Sequence, residues 1–160
     1  TAGQLHDIGK LILAHLHPAG FQAILHHARL HRQSLAEVEM LYLGCTTAQM
    51  GAYFADRFGL STRFANVLRW IDEPAAATSD ATLVAIISLA RDLCRQNHVG
   101  TSGDPAPAHA RSLEDTPEWH ILRKSLYPSF NLHAFELQVH AYCGQLFSEL
   151  SGHHPGVGPP

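Results

Sequence analysis

Residues 4–11 read QLHDIGKL, so His6 is followed directly by Asp7 inside an apolar helical pattern. An imidazole beside a carboxylate is a pair that hydrolytic metal centres use. Nitrogen and oxygen ligands converge on a divalent ion, and an open position holds the water to be activated. Two adjacent residues do not complete such a centre. They lie about 100° apart on a helix and reach one ion only where the helix end points at it, so further ligands must come from elsewhere. The remaining constellations are weaker. His27 and His31 stand at i, i+4, a spacing that suits a metal, but no third ligand is near them in the chain. The stretch GTSGDPAP at 100–107 lacks the lysine and the strand–helix setting of a phosphate loop. Cys45, Cys94 and Cys143 form no CxxC pair, and Cys94 and Cys143 fall on apolar helical faces, where they read as core. Most of the thirteen histidines stand apart, His15, His17, His120 and His140 among them, and read as solvent-facing or capping side chains.

The elements that must position these residues are helical almost throughout. Leu5, Ile8, Ile12 and Leu16 make one apolar stripe that Pro18 stops, and Phe21, Ile24, Leu25 and Ala28 make a second. Ser34 with Glu37 has capping-box spacing and opens a helix that Gly44 closes. A helix over 47–58 carries the small residues Ala48, Gly51, Ala52 and Ala55 on one face, and Gly59 ends it. Ser61 caps the next, and Asp80 or Ser79 caps a strongly apolar helix from Ala81 to Cys94. A short helix over 117–124 and a long one over 132–150 follow.

The expected fold is therefore all-α, a multi-helix bundle of roughly eight helices in one domain. With 160 residues, the chain buries roughly 70% of its unfolded surface without help from a metal or disulfide. Net charge is −3 and no basic stripe is present, which argues against nucleic-acid binding by charge. An odd number of widely spaced cysteines reads as reduced thiols in a cytoplasmic protein. No signal peptide and no apolar run of membrane-spanning length is visible. The start at Thr1-Ala2-Gly3, with a helical pattern almost at once, reads as a start inside a longer protein.

The stretch LHDIGKLILAHLHP at 5–18 resembles the motif of the HD superfamily. The text that follows, EVEMLYLGCTTAQMGAYFADRFGLSTRFANVLRWIDEP at 37–74, is similar to one branch of it, the HDOD (HD-related output domain) family. The shared features are the Glu before LG, the Ala-x-x-Gly helix, the RFGLS turn and the Arg-aromatic-x-x-x-Pro ending, and TLVAIISLARDLCRQ at 82–96 also fits. The resemblance covers about residues 3–97 and, loosely, the last helix. It implies an all-helical bacterial signalling module of a kind attached to receiver, GGDEF or EAL domains and regarded as non-catalytic.

Catalytic HD and HD-GYP phosphohydrolases supply histidines where this chain has Thr47 and where it has Ile71 and Asp72. They supply a last aspartate where this chain has Arg91, with Asp92 one position off. The resemblance thus implies a degenerate metal site, with no catalytic residue and with His6 and Asp7 as its remnant. Asp7 is expected to take hydrogen bonds from the backbone or Lys10. Asp72 is expected as a partner of His6, an ion pair standing in for the metal, while Arg91 would oppose a bound divalent ion. The organisation expected is an HD-like core over 1–97, a loop over 98–112, C-terminal helices over 113–152 packed on the core, and a flexible tail over 153–160.

The function expected is regulation through contacts with other signalling domains, with no cofactor, no nucleic acid and no membrane. HDOD proteins usually carry a further helical lobe ahead of the HD-like half, and without it the apolar face of the first helix would favour a homodimer. Two rivals stand beside this reading. One is a metal-dependent phosphohydrolase of nucleotides or cyclic dinucleotides, which would hold a divalent metal. The other is a module that binds a cyclic dinucleotide without hydrolysis.

Overall fold

Helix starts along this chain are set by side chains that hold the N–H groups a helix leaves unpaired in its first turn. The structure, a computed structural model, describes residues 1–97, 99, 103–104, 112–124 and 130–152. Ser34 and Glu37 close a reciprocal capping box at the start of α4 (Leu35–Leu43), and Thr46 with Gln49 does the same for α5 (Thr47–Arg57). His17 caps α3 (Pro18–His31), Ser61 caps α6 (Thr62–Trp70), and Thr116 caps α8 (Pro117–Leu122). Asn131 accepts from Ala134 at the start of α9 (Leu132–Gly152). Gly44 and Gly59 take positive φ where α4 and α5 end, the conformation that glycine adopts most readily.

Two aspartates at helix starts behave differently. Asp80 precedes α7 (Ala81–Gln96) but makes no capping bond. Its carboxylate instead accepts from Arg63 Nε at 3.1 Å and Asn66 Nδ2 at 3.0 Å, and Ser79 Oγ also serves Asn66. The cap expected at Asp80 or Ser79 is thus replaced by a tie to α6. Asp7 precedes α2 (Ile8–Leu16) and likewise makes no capping bond, its carboxylate facing Lys10.

The first stripe is not one helix. A single turn, α1 (Ala2–Leu5), stops at His6–Asp7, and α2 begins after it. The buried face of α2 is Gly9 and Leu13, while Leu16 is 73% exposed and Leu5 and Leu11 are also exposed. The reason lies in α5. A Cβ at Gly9 would overlap the Thr47 carbonyl oxygen, and one at Gly51 would lie 3.2 Å from the Gly9 nitrogen. The two backbones touch, so the seam follows the glycine and not the larger residues.

Four apolar clusters complete an all-helical bundle, with no strand among the described residues. Leu13, Ile24, Ala28, Leu35 and Val38 join α2, α3 and α4. Ala52, Ala55, Phe64, Ala65 and Leu68 join α5 to α6, using the small-residue face of α5. Val67, Ile71, Val84 and Ile87 join α6 to α7. Ala85, Leu89, Leu93, Leu113 and Leu122 join α7 to α8, and Phe135 and Val139 of α9 pack on them. Among the described residues no helix is long and apolar enough to cross a membrane. Of the 98–112 stretch only 99, 103–104 and 112 are described, and the tail over 153–160 lies outside the described residues.

The glycine seam makes an asymmetric prediction. Gly9→Ala must push α2 off α5 and is expected to cost about 3 kcal/mol or more, the upper end for overpacking. Gly51→Ala needs a shift of only a few tenths of an ångström and should cost about 1 kcal/mol. Urea unfolding of both variants checks the order, and equal costs would show that the seam yields.

Candidate functional site

One polar cavity of about 300 Å³ lies where the α1–α2 turn, α4, α5, the end of α6, α7 and α8 converge. Its lining includes His6, Asp7, Lys10, Thr47, Asp72 and Arg91. The fold therefore brings together every position at which the sequence pattern expected a metal ligand or its replacement.

The charges inside are paired in detail. His6 Nδ1 lies 2.6 Å from the Gly3 carbonyl oxygen, which only accepts, so Nδ1 carries the proton and Nε2 faces the Asp7 carboxylate at 3.6 Å. Lys10 Nζ stands 3.0 Å from Asp7 Oδ1. Arg91 Nη1 donates to Asp72 Oδ1 at 2.7 Å, and Nη2 donates to the Ile71 carbonyl at 3.1 Å. Asp72 therefore pairs with Arg91 and not with His6 as expected. The guanidinium reaches across from α7 to the end of α6, whereas His6 is turned to its own segment by the Gly3 bond. Burial disfavours the charge on Arg91, but Asp72, Asp92 and Asp104 outweigh it and hold its pKa above the ordinary value. One helical turn on, Arg95 Nη1 lies 3.4 Å from Asp92 and 3.9 Å from Asp104.

A second buried pair was not legible in advance. Glu39 is 1% exposed and accepts from Thr47 twice, from the backbone N–H at 2.7 Å and from Oγ1 at 2.8 Å. Burial pushes its carboxyl above the ordinary range, and the Thr47 bonds only partly offset that. The one local signal is spacing: Glu39 stands four residues after buried Leu35, on the same side of α4. Glu118 of α8 is buried as well and accepts from Ser88 Oγ at 2.7 Å.

This donor set does not fit a divalent metal. A divalent ion at His6 Nε2 and Asp7 would sit in a cavity whose wall also carries Lys10 and Arg91, and it would have to take Asp7 and Asp72 from them. Among the described residues, no three His, Cys, Asp or Glu side chains are grouped to hold a metal ion. The His27–His31 spacing is occupied differently: His27 contacts Gln33 Oε1 through Nε2 at 3.1 Å and the Tyr42 hydroxyl through Nδ1 at 3.0 Å. Arg63 and Arg69 pair with Asp80 and Asp56.

A family model for the HDOD domain matches residues 1–74. Those residues are similar to the HDOD family, over somewhat less than half of the chain. The HDOD segment runs from α1 through α6 and includes His6, Asp7, Lys10, Thr47 and Asp72, while Arg91 and the rest of α7 lie beyond it. No curated protein and no solved structure matches the chain.

Two expectations follow. Arg91→Ala should cost about 1–3 kcal/mol, because it strands Asp72 and the Ile71 carbonyl. Asp72→Asn should cost less, since the Asp72 side chain is 36% exposed and water replaces its partner. A double-mutant cycle should give a coupling of about 0.5–2 kcal/mol, and a coupling near zero would remove Arg91–Asp72 as a structural tie. For Glu39 the folded pKa is raised, so above the ordinary carboxyl value of 4.5 the folded state keeps a proton that the unfolded state has released. Its contribution to stability therefore falls as pH rises from that value to the folded pKa. Urea midpoints between pH 4 and pH 7 should lose this part of the decline in Glu39→Gln.

Proposed function

We propose that the chain works as a non-catalytic regulatory module in bacterial signal transduction and acts through protein–protein contacts. The HDOD family of residues 1–74 points to a signalling-associated role. The observation that carries the non-catalytic reading is the Arg91 guanidinium, paired with Asp72 in the cavity where a phosphohydrolase of the wider superfamily would need a ligand. The arrangement supports a fixed internal cross-link, with a side chain doing the joining that a metal does elsewhere.

Contact surfaces are available. Met40, Leu41, Tyr42 and Leu43 of α4 form a run of four exposed apolar residues, Leu41 at 69%. Such a run on a water-facing helix is costly for solubility and fits a surface that meets another protein. Partners of the receiver, GGDEF or EAL kind, or a second copy of the chain, are the readings the family favours, with the module working in the cytoplasm.

Metal analysis of protein purified without chelator tests the proposal. The expected content is well below one equivalent of divalent transition metal and unchanged in His6→Ala. Two tightly bound equivalents, lost in His6→Ala or Asp7→Ala, would overturn it in favour of a phosphohydrolase.

A further inference from the structure

The polar cavity shares three residues, His6, Arg91 and Arg95, with a second space: an apolar groove of about 430 Å³ lined by Ile86, Ile87, Ala90, Cys94 and Val99. Each shared residue carries one buried nitrogen with no hydrogen-bond partner among the described residues: His6 Nε2, Arg91 Nε and Arg95 Nε. Buried polar atoms are nearly always paired, so three unpaired ones at a single seam call for a cause. The carboxylates nearest to two of them are too far to serve, Asp7 at 3.6 Å from His6 Nε2 and Asp92 at 3.9 Å from Arg91 Nε. The opposite sides of these groups are already committed, His6 Nδ1 to Gly3 and the Arg91 terminal nitrogens to Asp72 and Ile71. With Nδ1 donating to Gly3, Nε2 is the ring nitrogen left to meet a further polar group. The seam therefore presents two guanidinium N–H donors and one imidazole nitrogen, at the boundary between polar and apolar space.

We propose that this seam binds a small amphipathic carboxylic acid, its head at His6 Nε2, Arg91 Nε and Arg95 Nε and its hydrocarbon part in the groove. The carboxyl oxygens accept from the two guanidinium N–H groups, and the carboxyl proton, shared with the imidazole, satisfies Nε2. A group of at most one negative charge suits the place better than a phosphate dianion, because Asp7 and Asp92 stand just outside hydrogen-bond range. The groove has the size of small-molecule sites, which start at about 300 Å³. Its apolar character also shows in Cys94, whose thiol is pushed above its ordinary pKa by burial. Ile86 is 49% exposed at the groove, which leaves a way in for the chain. This site goes beyond the regulatory reading and stands apart from it: loss of acid binding would leave the protein-contact proposal intact.

Calorimetric titration of the whole chain with octanoate, acetate, octanol and octyl phosphate tests the site. Octanoate is expected to bind about tenfold or more tighter than acetate or octanol. Ile86→Asp, at an exposed position, should keep the helical circular dichroism and weaken octanoate by about tenfold or more, and Arg95→Gln should do the same. No heat from octanoate below its micelle concentration would overturn the proposal and leave ordered water as the partner of the three nitrogens. Equal binding of octanol would reduce the site to an apolar groove, and tighter binding of octyl phosphate would replace the carboxyl head, each overturning it. Should Arg95→Gln fail to fold, Ile86→Asp decides alone, and affinity unmoved by that change would also overturn it.

Discussion

The arrangement rests on the absence of a side chain at Gly9. Because α2 and α5 meet backbone to backbone, the Thr47 carbonyl sits against Gly9 and the Gly51 nitrogen is close behind. That contact fixes how deep α2 lies, and with it where the preceding turn places His6 and Asp7. It also fixes the start of α5, so Thr47 can give both its N–H and its hydroxyl to Glu39 of α4. A larger residue at Gly9 would separate the three elements that form one side of the cavity.

The other side is held by charge. Arg91 is a poor candidate for burial unless it is paired, and it finds Asp72, the Ile71 carbonyl and, more distantly, Asp92. Its partner is more exposed than itself, so the pair is only partly desolvated and retains some help from water. The geometry thus combines a cationic link with a cluster of acids that are individually engaged. The Glu39–Thr47 and Glu118–Ser88 pairs show the same economy with hydroxyl groups in place of cations.

Much of this fold could be read from local signals. The box at Ser34–Glu37, the stop at Pro18, the glycine after α4 and the small-residue face of α5 all act within one helix or at its ends, and each lies where the pattern placed it. The break at His6–Asp7 was not legible, because the stripe Leu5–Ile8–Ile12–Leu16 looks continuous until the partner helix selects Gly9 and Leu13. Of the site, the cluster of positions was legible through the family pattern, but the pairing inside it was not. Whether Asp72 meets His6 or Arg91 depends on how α6 and α7 lie relative to the first turn, and no periodicity in one helix carries that information. Asp80 failed as a cap for the same reason: a partner from α6 outbid the local bond.

The Arg91 cross-link differs in kind from one made by a metal ion. A metal must be acquired after synthesis, competes with chelators and other ions, and leaves when its ligands are protonated. A guanidinium arrives with the polypeptide and keeps its charge across the physiological range. A link of this kind forms with the fold itself, whatever ions are at hand.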